Sequence, residues 1–216
     1  MSRIIKQGLS FNFFDISLEQ TGLFLVSIVN WINMLKIKVL LLPILFPILC
    51  SAQGILYVSK DGKVNFTSDA PLEMIKASSN AIVGAVKTTD RSFAFSVLVK
   101  SFEGFNSSLQ RTHFNENYLE SDKFPKITFE GKIIEDINLT KDGTYNIRGK
   151  GRFSVHGVTQ ERIIPCKLVV ANGTLIVTSN FTVFLDDHNI KIPAVVNQKI
   201  AEEIMVTITI DLIVKK

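Results

Sequence analysis

From residue 63 onward, apolar and polar side chains alternate along the chain, the pattern of strands that bury one face. Val64 and Phe66 alternate with Lys63 and Asn65, and Phe93, Phe95, Val97 and Val99 share a face between Arg91 and Lys100. After Pro125 the same holds for Ile127, Phe129 and Ile133. Tyr145, Ile147, Gly149, Gly151, Phe153 and Val155 lie on one face, opposite Asn146, Arg148, Lys150, Arg152 and Ser154. Two more runs follow, one through Ile164, Cys166, Leu168 and Val170, the other through Leu175, Val177, Ser179, Phe181, Val183 and Leu185. The last strand sets Ile204, Val206, Ile208, Ile210, Leu212 and Val214 inward, with Thr207, Thr209 and Asp211 outward. Turn residues punctuate these runs at Asp61-Gly62, Lys141-Asp142-Gly143, His156-Gly157 and Asn172-Gly173. Helix is expected over Leu109 to Ser121, after Ser107-Ser108 as the candidate cap, with a shorter piece at Gln198 to Glu203.

No repeated strand–helix–strand pattern appears, which argues against a parallel sheet. Long amphipathic strands with one apolar face close most economically as a barrel or a sandwich. A barrel has no exposed edges to protect, but the pattern alone does not choose between the two.

The front of the chain reads differently. Met34-Leu35-Lys36-Ile37-Lys38 is a basic start, Val39 to Leu49 is apolar, and Cys50-Ser51-Ala52-Gln53 puts small residues where a signal peptidase reads. Residues 34–52 are therefore expected to be a secretory signal peptide cleaved after Ala52, its apolar run well under the ~20 residues of a membrane-spanning helix. Leu49, directly before Cys50, is too bulky for lipid modification of that cysteine. Residues 1–33 are read as an upstream extension, with translation starting at Met34. The alternative is an uncleaved N-terminal membrane anchor from Gly22 to Leu49, interrupted by Asn30, Asn33, Lys36 and Lys38, and charges within a span are costly. Residues 53–216 are left as one domain, destined for the periplasm or secretion.

Composition sharpens this picture in one respect. Hydrophobic residues make up 46% of the chain, and Phe is in excess, with 16 against 3 Tyr and 1 Trp. Such an interior offers apolar area with few polar handles, which suits a core and a hydrophobic cavity equally. Net charge is +4, with no basic stripe interleaved with aromatics, so nucleic acid is not expected as a partner. If Cys50 leaves with the signal, Cys166 stands alone, and the domain is held by its core without an intramolecular disulfide.

The chemistry of a catalyst is missing from the sequence. His113, His156 and His188 show no metal-ligand spacing, and neither Cys-x-x-Cys, Gly-x-Ser-x-Gly nor a phosphate-cradling glycine loop occurs. Cys166 alternates with Ile164 and Leu168 and reads as a buried small hydrophobe. Neither an enzyme nor a metal or other cofactor is expected; a metal site using His113 or His188 ranks last. Ser179 reads as a locally bonded core hydroxyl. Gly149 and Gly151 on an apolar strand face leave either room for a ligand or a tightly coiled corner.

The stretch Arg111-Thr112-His113-Phe114-Asn115-Glu116-Asn117-Tyr118-Leu119-Glu120-Ser121-Asp122-Lys123-Phe124-Pro125-Lys126-Ile127-Thr128-Phe129 resembles the signature of the YceI-like family, bacterial periplasmic polyisoprenoid-binding proteins. Gly151-Arg152-Phe153-Ser154-Val155-His156-Gly157-Val158-Thr159 resembles the family's second motif, and Asn189-Ile190-Lys191-Ile192-Pro193 before the last strand also fits. The opening strand departs from the family pattern, with Tyr57-Val58-Ser59-Lys60-Asp61-Gly62-Lys63-Val64-Asn65-Phe66 in its place. The resemblance implies an all-β fold, an eight-stranded antiparallel lipocalin-like barrel with one or two short helices. It also implies a ligand with a long apolar chain, an isoprenoid quinone, polyprenyl lipid or similar, held inside by a periplasmic carrier or buffer. The expected cavity lining is Phe93, Phe95, Val97, Phe129, Tyr145, Ile147, Gly149, Gly151, Phe153, Phe181 and Ile208. His156-Gly157 is expected to serve its turn. Transient membrane contact and a homodimer are left open as further associations, and the alternative function is a non-catalytic stress-response or interaction module with a filled barrel.

Overall fold

The computed structural model describes residues 54–215. The expected signal peptide at 34–52, its cleavage site and residues 1–33 lie outside the described residues.

Nine strands follow in order: β1 (Leu56–Asp69), β2 (Met74–Ser79), β3 (Val83–Lys87), β4 (Ser92–Leu98), β5 (Lys126–Ile133), β6 (Gly143–Val155), β7 (Val158–Ala171), β8 (Thr174–Phe184) and β9 (Glu203–Val214). All pairings are antiparallel between sequence neighbours from β3 to β9, and β1 closes the ring against β9. On its other side β1 pairs with β3 near its start and with β2 near its end. β2 and β3 thus act as one interrupted strand, and the barrel has eight strand positions. The expected fold class is the observed one.

β6 shows why the alternation works. Ile147, Gly149, Gly151, Phe153 and Val155 are buried, and the residues between them are exposed or half-buried. The β6–β7 and β7–β8 hairpins turn on His156-Gly157 (φ 51° and 72°) and Asn172-Gly173 (φ 49° and 73°). Both are two-residue loops with positive φ at each position, the geometry that matches strand twist.

Two expectations are corrected. Asp61-Gly62 is no turn: β1 runs through it with a bulge against β9 between Ser59 and Asp61. A Cβ on Gly62 would stand 2.6 Å from Ile82 Cγ2 and 2.9 Å from Ile210 Cγ1, so glycine here answers a close approach of side chains. Gln198 to Glu203 is not helical; a short 3₁₀ turn lies earlier, at Ala194–Val196. The expected helix at 109–121 is α1 (Ser108–His113) continuing into a π turn at Phe114–Tyr118. Ser107 caps it, its side chain accepting from the Gln110 N–H.

Candidate functional site

The wall of the barrel is incomplete in two places, and both bear on the interior. β3 pairs with β4, whereas β2 pairs only with β1, apart from a bridge from Ser78 to Glu103. The space beside β2 is filled by the connection after β4 and by α1 with its π turn, which bring Phe102, Phe105 and Phe114 against Phe66 of β1. These rings stand 5.1–5.9 Å apart, inside the range of favourable aromatic contact.

β7 and β8 pair only from Lys167–Ala171 to Thr174–Thr178. Beyond that, side chains stitch the seam. Ser179 Oγ donates to the Pro165 carbonyl (2.7 Å), Arg162 to the Thr182 carbonyl (2.8 Å), and Gln160 to the Asp187 carbonyl (2.8 Å). Ser179 is therefore a bonded core hydroxyl, although its partner is on the neighbouring strand.

Between these walls lies a cavity of about 470 Å³, open at the end of the barrel where α1 sits. Its sides carry Phe66, Phe95, Phe105, Phe114, Phe129 and Phe153, with aliphatic residues such as Ile75, Ile200 and Ile204. Its polar members include Glu73, Gln110, His113 and Lys199. Glu73 accepts from the carboxamides of Gln110 (2.5 Å) and Asn106 (3.3 Å), which ties β2's approach to α1. Burial raises the Tyr118 phenol above its ordinary value, and Tyr118 also lines the cavity. Away from these polar members, a surface of this kind excludes water and solvates hydrocarbon.

A second, smaller cavity of about 80 Å³ lies deeper, lined by Phe93, Ile147, Gly149, Cys166 and others. Of the expected lining residues, Phe95, Val97, Phe129, Phe153, Phe181 and Ile208 face the large cavity. Phe93, Ile147 and Gly149 face only the small one. Tyr145 and Gly151 line neither. Tyr145 packs at the edge of the core with its hydroxyl donating to the Lys141 carbonyl at 3.0 Å.

The two glycines do not open the large cavity. A Cβ on Gly149 would meet the Phe93 ring at 3.0 Å, so that ring occupies the space. Gly151 stands directly opposite Gly131, and a Cβ on it would fall 2.1 Å from the Glu130 carbonyl oxygen. Here the reason is backbone against backbone. Sequence reasoning missed Phe66, Phe105 and Phe114 as lining, because two of them lie off the strands.

Cys166 is free and half-buried, and burial pushes its thiol up from the ordinary value, which disfavours the nucleophilic thiolate. Among the described residues, no group of three or more His, Cys, Asp or Glu side chains is placed to hold a metal ion.

The three stretches that carry the family resemblance meet at one point. His156 bonds the Glu120 carboxylate through Nε2 (2.7 Å) and the His188 carbonyl through Nδ1 (3.1 Å). His188 in turn bonds the Val158 carbonyl (3.2 Å) and sets its ring edge-on to Phe153. Glu120, His156 and Asn189 all have positive φ, each turning the chain sharply into this clasp.

Comparison with known proteins agrees with this architecture. The fold is similar to that of BcnA from Burkholderia cenocepacia, at 14% identity and a TM-score of 0.57, covering 69% of this chain and 95% of that one. It is also similar to a polyisoprenoid binding domain from Saccharophagus degradans implicated in plant cell wall breakdown. There the identity is 11% and the TM-score 0.61, covering 74% of this chain and 98% of that one. At these identities the likeness concerns the fold. No curated protein sequence matches. The model of the YceI-like domain matches residues 58–212, and the chain belongs to that family.

Proposed function

We propose that this chain binds a long apolar molecule in the barrel interior, without transforming it, as an exported carrier or buffer. One observation carries the reading. The barrel leaves an apolar cavity of about 470 Å³ open at one end, within the range of about 300–1,000 Å³ typical of small-molecule sites. Each methylene moved from water into such a lumen contributes about 0.8 kcal/mol, so a hydrocarbon tail binds there without a charged clamp. The polyisoprenoid binding domain with the same fold supports an isoprenoid chain as the occupant, a quinone, polyprenyl lipid or similar. The basic start, apolar run and small residues before Gln53 support delivery to the periplasm or outside.

The mouth also supports transient membrane contact. Leu72, Leu109 and Val195 are 67%, 61% and 89% exposed, on three segments that border the opening. An apolar rim of this kind shields a tail as it leaves a bilayer. The test is to extract the purified protein into organic solvent, identify what comes out by mass spectrometry, and melt the protein with added quinones and polyprenols. An amphiphile in stoichiometric amount and a raised Tm are expected. An empty protein whose Tm ignores every such compound refutes the proposal.

A further inference from the structure

We infer that a layer of phenylalanine rings makes the lumen a blind chamber that measures its ligand's tail, and that the chain selects single-tailed amphiphiles of on the order of 15–20 tail carbons. This rests on the binding role proposed above and says which members of that ligand class fit.

The layer runs from strand to strand. Phe95 and Phe93 of β4 lie 5.7 Å apart, Phe93 is 4.9 Å from Phe129 of β5, and Phe129 is 6.1 Å from Phe153 of β6. Phe153 meets Phe181 of β8 edge-on at 5.9 Å. Phe95, Phe129, Phe153 and Phe181, with Ile82 and Ile208, line both cavities, so this layer is the partition between them. Phe153 is buried and held from behind by the His188 ring at 5.5 Å. Below the partition the space is only about 80 Å³, about half the roughly 150 Å³ of an apolar cavity that holds one benzene. The far end is then stopped by side chains that are almost entirely buried: Tyr57, Leu139, Leu175 and Leu212.

The capacity follows by proportion. If about 150 Å³ takes six carbons, the upper chamber of about 470 Å³ takes three such groups, the length of a farnesyl or geranylgeranyl chain. Carbons beyond that remain at the mouth, where they gain no further burial. The head group sits among Glu73, Gln110, His113 and Lys199.

The test is displacement of a bound fluorescent apolar probe by geraniol, farnesol, geranylgeraniol and geranylfarnesol. Affinity should climb steeply, by up to roughly fourfold per methylene, as far as geranylgeraniol, and geranylfarnesol should bind no tighter. Phe129→Ala joins the two spaces and should move the break out to geranylfarnesol; Phe129→Leu, a milder truncation, serves if the alanine variant does not fold. Affinity that keeps rising through geranylfarnesol in the unaltered protein, or a break that stays put in the variants, overturns the partition while leaving the binding role intact. A protein that takes up neither the probe nor any of the alcohols removes the binding role and the partition with it.

Discussion

Gly151 and Gly131 face each other across β5 and β6 so closely that neither tolerates a side chain. A Cβ on Gly131 would lie 2.0 Å from the Lys150 carbonyl oxygen, and one on Gly151 2.7 Å from Gly131 Cα. Backbone atoms cannot swing aside as a flexible side chain can. Gly151→Ala should therefore cost about 1–3 kcal/mol, as overpacking does, read as a lower urea midpoint, while probe affinity stays unchanged because Gly151 lines neither cavity. A variant that binds more weakly at unchanged stability would contradict this account. His188 carries a different tension. It is fully buried, Nδ1 donates to the Val158 carbonyl, and Nε2 has no partner. Burial lowers its pKa from the ordinary imidazole value, against smaller opposing contributions from the Val158 bond and Asp187, with Arg162 adding to the lowering. The unfolded chain thus takes up this proton at a higher pH than the folded one. Stability should be full above the ordinary value of about 6.5, fall as pH drops below it, and level off once the folded-state pKa is passed. Melting curves across that window check the slope, and His188→Asn, which keeps a donor for Val158 without titrating, should flatten it.

Between elements, the strands were legible in the sequence and the contacts that hold the barrel's weak side were not. Alternation along β6 and β9 marks the buried face because each strand is regular for its whole length. The clasp formed by Glu120, His156 and His188 joins residues 32 and 36 positions apart, and no periodicity encodes such a meeting; only the family resemblance singled out its stretches. It matters because β7 and β8 stop pairing after Lys167 and Thr178, leaving side chains to bridge what a ladder would otherwise hold. His156→Ala removes bonds to two segments at once and strands part-buried partners, so it should destabilise by about 1–3 kcal/mol. Hydrogen exchange should show the loss first in the turn at Asp186–His188 and the nearby ends of β7 and β8; uniform loss across all strands would argue against a local clasp. The cavity was half legible for a related reason. Phe95, Phe129, Phe153 and Phe181 are read from strand alternation, but Phe105 and Phe114 come from the segment beside β2, where no regular period assigns a face. The inward glycines of β6 suggested a gap, and the neighbouring ring and backbone fill it.

At the scale of the molecule, one chain has to keep a hole open and remain folded. Close-packed interiors are the rule, and residues around a space lose contact partners on one side. The barrel compensates with a fuller lower half, where the free space is only about 80 Å³ and Leu168, Leu175, Ile210 and Leu212 are essentially inaccessible, and with pairing that closes the sheet on itself. Cys166 is the only cysteine among the described residues, so no disulfide within them shares the load. The upper half, with its rings from the π turn after α1 and the neighbouring connection, is then the part that the proposed ligand would complete. A ligand that binds only the folded state stabilises it by RT ln(1 + [L]/Kd), about 2.7 kcal/mol at a hundredfold excess over Kd. For a domain of this size, each kcal/mol moves Tm by about 2–4 °C, so saturating geranylgeraniol should raise Tm by about 5–10 °C. The rise should grow with the logarithm of ligand concentration. Exchange protection should increase in β1, β2 and α1 around the mouth more than in the lower halves of β6 and β7, where the remaining space of about 80 Å³ is too small for the tail. A ligand-induced rise confined to the lower half would place the occupant at the wrong end of the barrel.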